Sequence, residues 1–230
     1  MGPIAPTIAQ CADIYAILSA GSRPPALVGV AGLRVGIVRT LSTDGLDAQI
    51  SADFEAALRA IRDAGAVLEP VDIPSLGEAG RVNRILVATE AFAIHQSRLK
   101  ALETEGDPQV YRRIISGGTF SQQERDEALV LRREACLDFN DMARAFDVLI
   151  SPTAAITAPL IAEVESDFDR LNALILRNPS AVNVLDGCAA TIPMDAPDEL
   201  GAGLMVIGAN GSDWKVLAGA EALERIVARR

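Results

Sequence analysis

The sequence predicts an α/β fold: a mixed, largely parallel sheet with helices on both faces. Three observations carry this. First, a strand–helix–strand succession fills Leu33 to Ile73, the span of one βαβ unit, for which a parallel pair and a right-handed crossover are expected. Second, a long helical pattern delivers the chain to the apolar run Val148–Leu149–Ile150, which stops at Ser151–Pro152 and opens into a loop. Proline cannot donate to a ladder, so the strand is expected to leave the sheet there. The loop at such a carboxyl end is where open α/β sheets build their sites. Third, the chain closes with a strand at Gly203–Ile207, a turn at Gly208–Gly211 and a helix over Ser212–Arg229.

The elements follow in order. Ile4, Ile8, Cys11, Ala12, Tyr15 and Leu18 repeat at helical spacing and end at Gly21, a short helix lying on the body. Ser22–Ala26 is a loop. Leu33–Val38 is a buried strand, and Arg39–Gly45 a polar crossover. Over Ala48–Ala64, Ile50, Phe54, Ala57, Leu58 and Ile61 share one face; Gly65 ends that helix. Ala66–Ile73 is a second strand, placed near a sheet edge by Pro70. Glu78–Leu102 has the length of a long helix and holds His95. Asp107–Pro108 opens another, since proline suits a first turn, and Ser116–Gly117–Gly118 stops it. Ser121 caps the next helix with Glu124 at capping-box spacing, and that helix runs to about Ala145. A short helix around Phe168–Leu176 is expected to break at Asn178–Pro179–Ser180. A strand over Ala189–Ile192, ending in Pro193, and a polar loop at Asp195–Glu199 precede the closing strand.

Composition narrows the function classes. The chain has 230 residues, 50% of them hydrophobic, so it is globular, and with only 4% aromatics its core is aliphatic. The whole chain, residues 1–230, is expected to form a single domain. A net charge of -10 argues against nucleic acid and anionic membrane surfaces, because phosphate is neutralised by Lys and Arg. No apolar run approaches a membrane span. Cys11, Cys136 and Cys188 are scattered, with neither zinc nor disulfide spacing, which points to a reducing cytoplasm. No metal or cofactor is expected.

An enzyme of this class needs a nucleophile and a base, and neither is written plainly. His95 lies in the helical run A-F-A-I-H-Q, which reads as an ordinary helix position. Ser116–Gly117–Gly118 has the look of a nucleophile turn but reads better as a helix stop, and Gly208–Gly211 reads better as a strand–turn–helix link than as a nucleotide loop. The lysines are Lys100 and Lys215, both at plausible solvated positions. A Ser–Lys mechanism would need one of them desolvated beside a serine.

Several stretches together resemble one family, the amidase signature enzymes. Gly2-Pro3-Ile4-Ala5-Pro6-Thr7 followed by Cys11-Ala12-Asp13 is similar to that family's G-P-I-A-R-T segment and helix. Arg34-Val35-Gly36-Ile37 and Gly65-Ala66-Val67-Leu68 match its first strand and the following helix end. Val110 to Gly117, with Arg113, resembles V-x-x-R-I-x-x-G; Asp147 to Thr153 resembles D-V/L-L-x-x-P-T. Asn183, Ala189 and Pro193 fit N-x-x-x-x-x-A-x-x-x-P, and Gly201-Ala202-Gly203 through Gly208 fits the last strand. Order and spacing agree over nearly the whole chain.

The resemblance implies cleavage or transfer at an amide C–N bond by a Ser–cis-Ser–Lys triad, with backbone N–H groups stabilising the oxyanion. In the family those three residues precede the G-P-I-A-R-T segment, so none is matched here. The expectation is therefore a carboxyl-terminal half that supplies scaffold and pocket wall and is inactive alone. Its partners would be a small amide substrate in the complete enzyme and an amino-terminal half or a second copy. By the same resemblance Arg113 is a candidate substrate contact, with a helix-surface salt bridge as the alternative. Thr153 lines the cavity or packs, and Asn183 and Asp186 orient pocket loops or satisfy buried backbone groups. A stand-alone pseudoenzyme or small-molecule binding module on the same scaffold is the other reading, and an unrelated α/β enzyme built on His95 or an acidic pair is a third.

Overall fold

The first helix, α1 (Ile8–Leu18), begins at Ile8 because the Thr7 hydroxyl accepts the Gln10 amide at 3.2 Å as an N-cap. The expected start at Ile4 is therefore four residues early, and Ile4 stands almost fully exposed. This computed structural model describes residues 2–40, 42–194 and 200–228. The loop expected at Asp195–Glu199 and the last residues of the closing helix pattern lie outside them.

Strand β1 (Arg34–Val38) leads through a loop into α2 (Ala48–Asp63) and returns as β2 (Val67–Val71), parallel to β1 with Arg34 opposite Val67. Next come α3 (Ala79–His95), α4 (Leu99–Glu105), α5 (Pro108–Ser116) and α6 (Gln122–Ala143), then β3 (Val148–Pro152), again parallel to β1. The chain continues with α7 (Ile161–Ser166), α8 (Phe168–Val184), β4 (Cys188–Met194), β5 (Ala202–Gly208) and α9 (Asp213–Val227). The sheet order is β2-β1-β3-β5-β4. β5 is antiparallel to both of its neighbours, so β1 to β4 point one way and β5 runs against them.

Alternation along the strands splits the core in two. Val35, Ile37, Val148, Ile150, Leu204 and Val206 face α2 and α9, meeting Phe54, Leu58, Ile61 and Leu223. Val38, Leu149, Met205 and Ile207 face the other layer, meeting Val82, Phe139, Val182 and Leu185. Phe54, Ile61 and Phe139 are essentially sealed, and each such side chain stabilises the fold by about 1.5–3 kcal/mol. The capping box at Ser121 forms as its sequence requires: Glu124 N–H donates to Ser121 Oγ, and Glu124 Oε2 accepts the Ser121 amide at 2.8 Å.

Four further expectations need correction. The long helix over 78–102 is interrupted by a 3-10 turn at Gln96–Arg98; α4 buries no residue, so no core stripe holds it in line with α3. Pro152 does not end β3 but pairs with Leu204 inside it. The Thr153 amide donates to Gly203 at 2.7 Å. By alternation, the nitrogen of Pro152 therefore faces β1, whose pairing with β3 ends at Ile150, so no ladder bond is lost. Pro179 does not break α8 either. The helix runs through to Val184, because its buried face continues across the proline from Leu171 through Asn178 to Ala181 and Val182. At the other end of the sheet order, Pro193 sits inside β4, and the edge position tolerates it.

Candidate functional site

The carboxyl ends of β1, β3 and β4 and the start of β5 lie at one end of the sheet, and the polar side chains converge there. Thr153, the first residue beyond β3, has its hydroxyl 3.2 Å from the Thr191 hydroxyl of β4. Gly203 makes room for the pair: a Cβ there would stand 2.8 Å from Thr153 Oγ1 and from Thr191 Cγ2. The loop after Thr153 is tied down by Asp47. One carboxylate oxygen caps α2 at Ile50 N (2.7 Å), the other accepts the Thr157 amide (2.6 Å), and the Asp47 amide donates to Ala155 (3.0 Å). Burial pushes the Asp47 carboxyl upward, but the amides of Ile50 and Thr157 outweigh it and hold it below the usual carboxylate range.

Behind this rim, α8 inserts Asn178, only 2% exposed. Its Nδ2 donates to the carbonyls of Ser42 (3.1 Å) and Pro152 (2.8 Å), clamping the β1–α2 loop to the end of β3. The buried hydroxyls beside it point to main chain: Ser42 to Val38 O at 2.6 Å and Ser151 to Pro152 O at 3.2 Å. Ser42, Ser151 and Asn178 border a cavity of ≈ 20 Å³, large enough for one water. Arg177 donates through Nε to Asn178 Oδ1 at 3.3 Å, while its Nη2 is sealed from solvent without a partner. Burial lowers the pKa of this guanidinium, and the field of Asp44 partly offsets that.

The four residues expected from sequence do not form one cluster. Thr153 belongs to the rim. Arg113 is exposed on α5, with its guanidinium 4.9 Å from the Phe168 ring centroid at the start of α8. Asn183 and Asp186 lie at the opposite end of the sheet, where α8 turns into β4, and both are exposed. Asp186 adopts φ 56° and accepts Asn210 Nδ2 at 2.7 Å, joining the α8–β4 and β5–α9 turns. Sequence reading missed Asn178, Arg177 and Asp47. A polar residue in phase with the apolar face of α8 was the available signal for Asn178, and the expected break at Pro179 hid it.

The candidate bases sit elsewhere. His95 Nδ1 accepts Arg98 Nε at 3.2 Å at the end of α3, and Lys215 Nζ donates to Phe146 O at 2.8 Å, ahead of β3. Among the described residues neither these side chains nor that of Lys100 hydrogen-bonds a serine or threonine hydroxyl, and Lys100 accepts the Thr104 hydroxyl through its main-chain carbonyl only. Burial beside Asp213 pushes the Cys188 thiol up to about 11, so it is no ready nucleophile. No cluster of metal-ligating side chains occurs among the described residues, and no helix there is long and apolar enough to cross a membrane.

A mixed α/β sheet with its polar wall at the carboxyl ends of the strands is the class that fold and site define. The amidase family model matches residues 23–217, and the chain belongs to that family. It is 29% identical over 240 residues to the 2-amino-5-chloromuconic acid deaminase of Comamonas testosteroni, covering 98% of this chain and 51% of that protein. It is 22% identical to one of the subunits of the glutamyl-tRNA(Gln) amidotransferase of Thermotoga maritima, covering 98% and 54%. The chain thus spans about half the length of the curated relatives it matches. Among solved structures, an amidase superposes with a TM-score of 0.86 at 25% identity, covering 98% of this chain and 52% of that one. A chain of a vestigial protein complex that reveals the evolutionary origins of an s-triazine catabolic enzyme superposes with a TM-score of 0.82 at 19% identity, likeness of fold alone.

Proposed function

We propose that residues 1–230 act as a single domain of an amide C–N hydrolase, contributing scaffold and the wall of a pocket for a small amide substrate. The observation that carries this reading is the alignment itself: 98% of this chain pairs with 51% of the Comamonas deaminase, while among the described residues the hydroxyls at the sheet's carboxyl end lack a lysine or histidine partner. A wall without a nucleophile–base pair suits the half of an amidase that does not carry the Ser–cis-Ser–Lys triad, and the chain alone is inactive. Thr153 keeps its proposed role as a pocket residue because it stands on the rim, and Arg113 stays a candidate substrate contact. For Asn183 and Asp186, at the opposite end of the sheet, the alternative of satisfying local polar groups is the better reading, as Asp186 does with Asn210.

The partner in this reading is an amino-terminal half, or failing that a second copy. β4 is an edge strand, and Ala189, Thr191 and Pro193 on one of its faces are exposed. Small side chains beside unpaired backbone groups invite another layer or strand. The compartment is the cytoplasm, and neither nucleic acid nor membrane is a partner.

The test is hydrolysis of a panel of aryl and aliphatic amides by the purified chain, together with a serine-directed phosphonate probe and intact mass. Absence of turnover and of adduct is expected. Turnover with an adduct mapped to a serine of this chain overturns the assignment of the triad to another segment.

A further inference from the structure

We propose that Arg177 is the binding residue for a single carboxylate group, so that the small molecule held against this wall carries a carboxylate arm. The inference deepens the amidase reading, and only its description of the ligand as an amide rests on that reading.

Among the described residues, Arg177 and Arg125 each bury a guanidinium nitrogen without an acceptor; at Arg177 burial also lowers the pKa, and its Nε is held by Asn178 beside the rim. Arg23, Arg34, Arg81, Arg112, Arg132, Arg144, Arg170 and Arg225 each reach a carboxylate of this chain within 4 Å. Arg177 reaches none among the described residues, yet its Nη2 is closed off from solvent with no acceptor. A guanidinium carries five N–H donors, and a buried donor left unmade is among the costly features of a fold. The side chain is nevertheless fixed, since Nε is bound to Asn178 Oδ1, and Asn178 is itself held by the carbonyls of Ser42 and Pro152. The result is a positioned cation with an unused donor at the carboxyl end of β1 and β3.

The chemistry of the ligand follows from the donor and its surroundings. A planar carboxylate presents two oxygens to a guanidinium edge, the geometry arginine recognises best. A phosphate dianion is disfavoured because Arg177 is a lone cation on a chain of net charge -10, with Asp44 as the acid whose field reaches it. One carboxylate neutralises one guanidinium; a polyanion would meet the acidic remainder of the protein.

The experiment is calorimetric titration of the full chain with benzoate, its neutral isostere benzamide, and inorganic phosphate. The same titrations are run on Arg177→Met and Arg177→Lys, with circular dichroism as the folding control. Benzoate is expected to bind, more tightly than benzamide or phosphate; Arg177→Met weakens it roughly tenfold or more, and Arg177→Lys restores part of the loss as a point charge without the fork. Should the Met variant unfold, the Lys variant carries the test: it is expected to fold and to bind benzoate severalfold more weakly than the parent chain. Equal affinity for benzoate and benzamide, binding unchanged in folded Arg177→Met or Arg177→Lys, no benzoate binding by the parent chain, or a preference for phosphate each overturns the proposal. Carboxylate binding needs no turnover, so its failure leaves the amide-hydrolysis reading standing, and failure of that reading leaves the carboxylate result intact.

Discussion

Asp47 and Thr157 lie 110 positions apart, yet the Thr157 amide donates to Asp47 Oδ2 at 2.6 Å while Oδ1 of the same carboxylate caps α2. One side chain thus sets both the start of a helix and the path of the loop that leaves β3. Replacing it with alanine removes two charge-assisted bonds to backbone amides. Asp47→Ala is expected to cost about 2–3 kcal/mol of stability, read by urea unfolding.

The same carboxylate gives the protein an acid-sensitive joint. Its folded pKa is depressed, so its contribution is present above the unfolded value of about 3.9 and is lost as pH falls through the lower folded value. Between about pH 5 and 2 the parent chain should lose stability faster than Asp47→Asn, which keeps a capping oxygen but cannot titrate. Parallel stability–pH curves for the two proteins would contradict this.

Asn178 carries the third prediction. Removing its amide leaves the Ser42 and Pro152 carbonyls without this donor, frees Arg177 Nε and enlarges a cavity that already exists. Asn178→Ala should destabilise by about 2–3 kcal/mol. It should also raise hydrogen exchange in the β1–α2 loop more than in α9, which a uniform loss of stability would not do.

The sheet was legible because its strands are short apolar runs with turn residues at their ends, and the strand–helix–strand unit around α2 follows from the stripe Ile50, Phe54, Leu58 and Ile61. What misled was proline. At Pro152 and Pro179 the local rule predicts an end, and in both places tertiary structure overrides it: one nitrogen lies on the β1 side beyond the last β1–β3 pair, and the other lies in a helix whose buried face continues. The candidate site was legible only at Thr153, because that residue follows the strand directly. Asn178 and Asp47 act across 136 and 110 positions, and no local pattern encodes such pairings.

Gly117 was legible as a stop but not as a contact. A Cβ on it would stand 2.0 Å from Ala88 O and 2.7 Å from Phe92 Cβ, so the turn after α5 packs directly on the backbone of α3. A carbonyl in a helix cannot swing aside as a side-chain tip can. Gly117→Ala is expected to destabilise by about 3 kcal/mol, the upper end for overpacking. Gly77→Ala, where nothing lies within 4 Å, is the matched control, with an effect within about 0.5 kcal/mol. Similar losses at the two positions would refute close packing as the cause.

Pro179 yields a prediction of the opposite sign. In the interior of α8 its nitrogen cannot donate to the Ile175 carbonyl four residues back, and its ring crowds that turn. A helix-interior proline costs about 3 kcal/mol relative to alanine, while the constraint it places on the unfolded chain returns about 0.4–1 kcal/mol. Residue 179 is only half-buried, so little packing is forfeited. Pro179→Ala is therefore expected to stabilise the domain by about 1–2 kcal/mol, read as a higher urea midpoint with unchanged slope. If the variant is instead less stable, the proline is holding Asn178 and Arg177 in place. In that case Arg177→Lys in the Pro179→Ala background should show a smaller effect on carboxylate binding than it does in the parent chain.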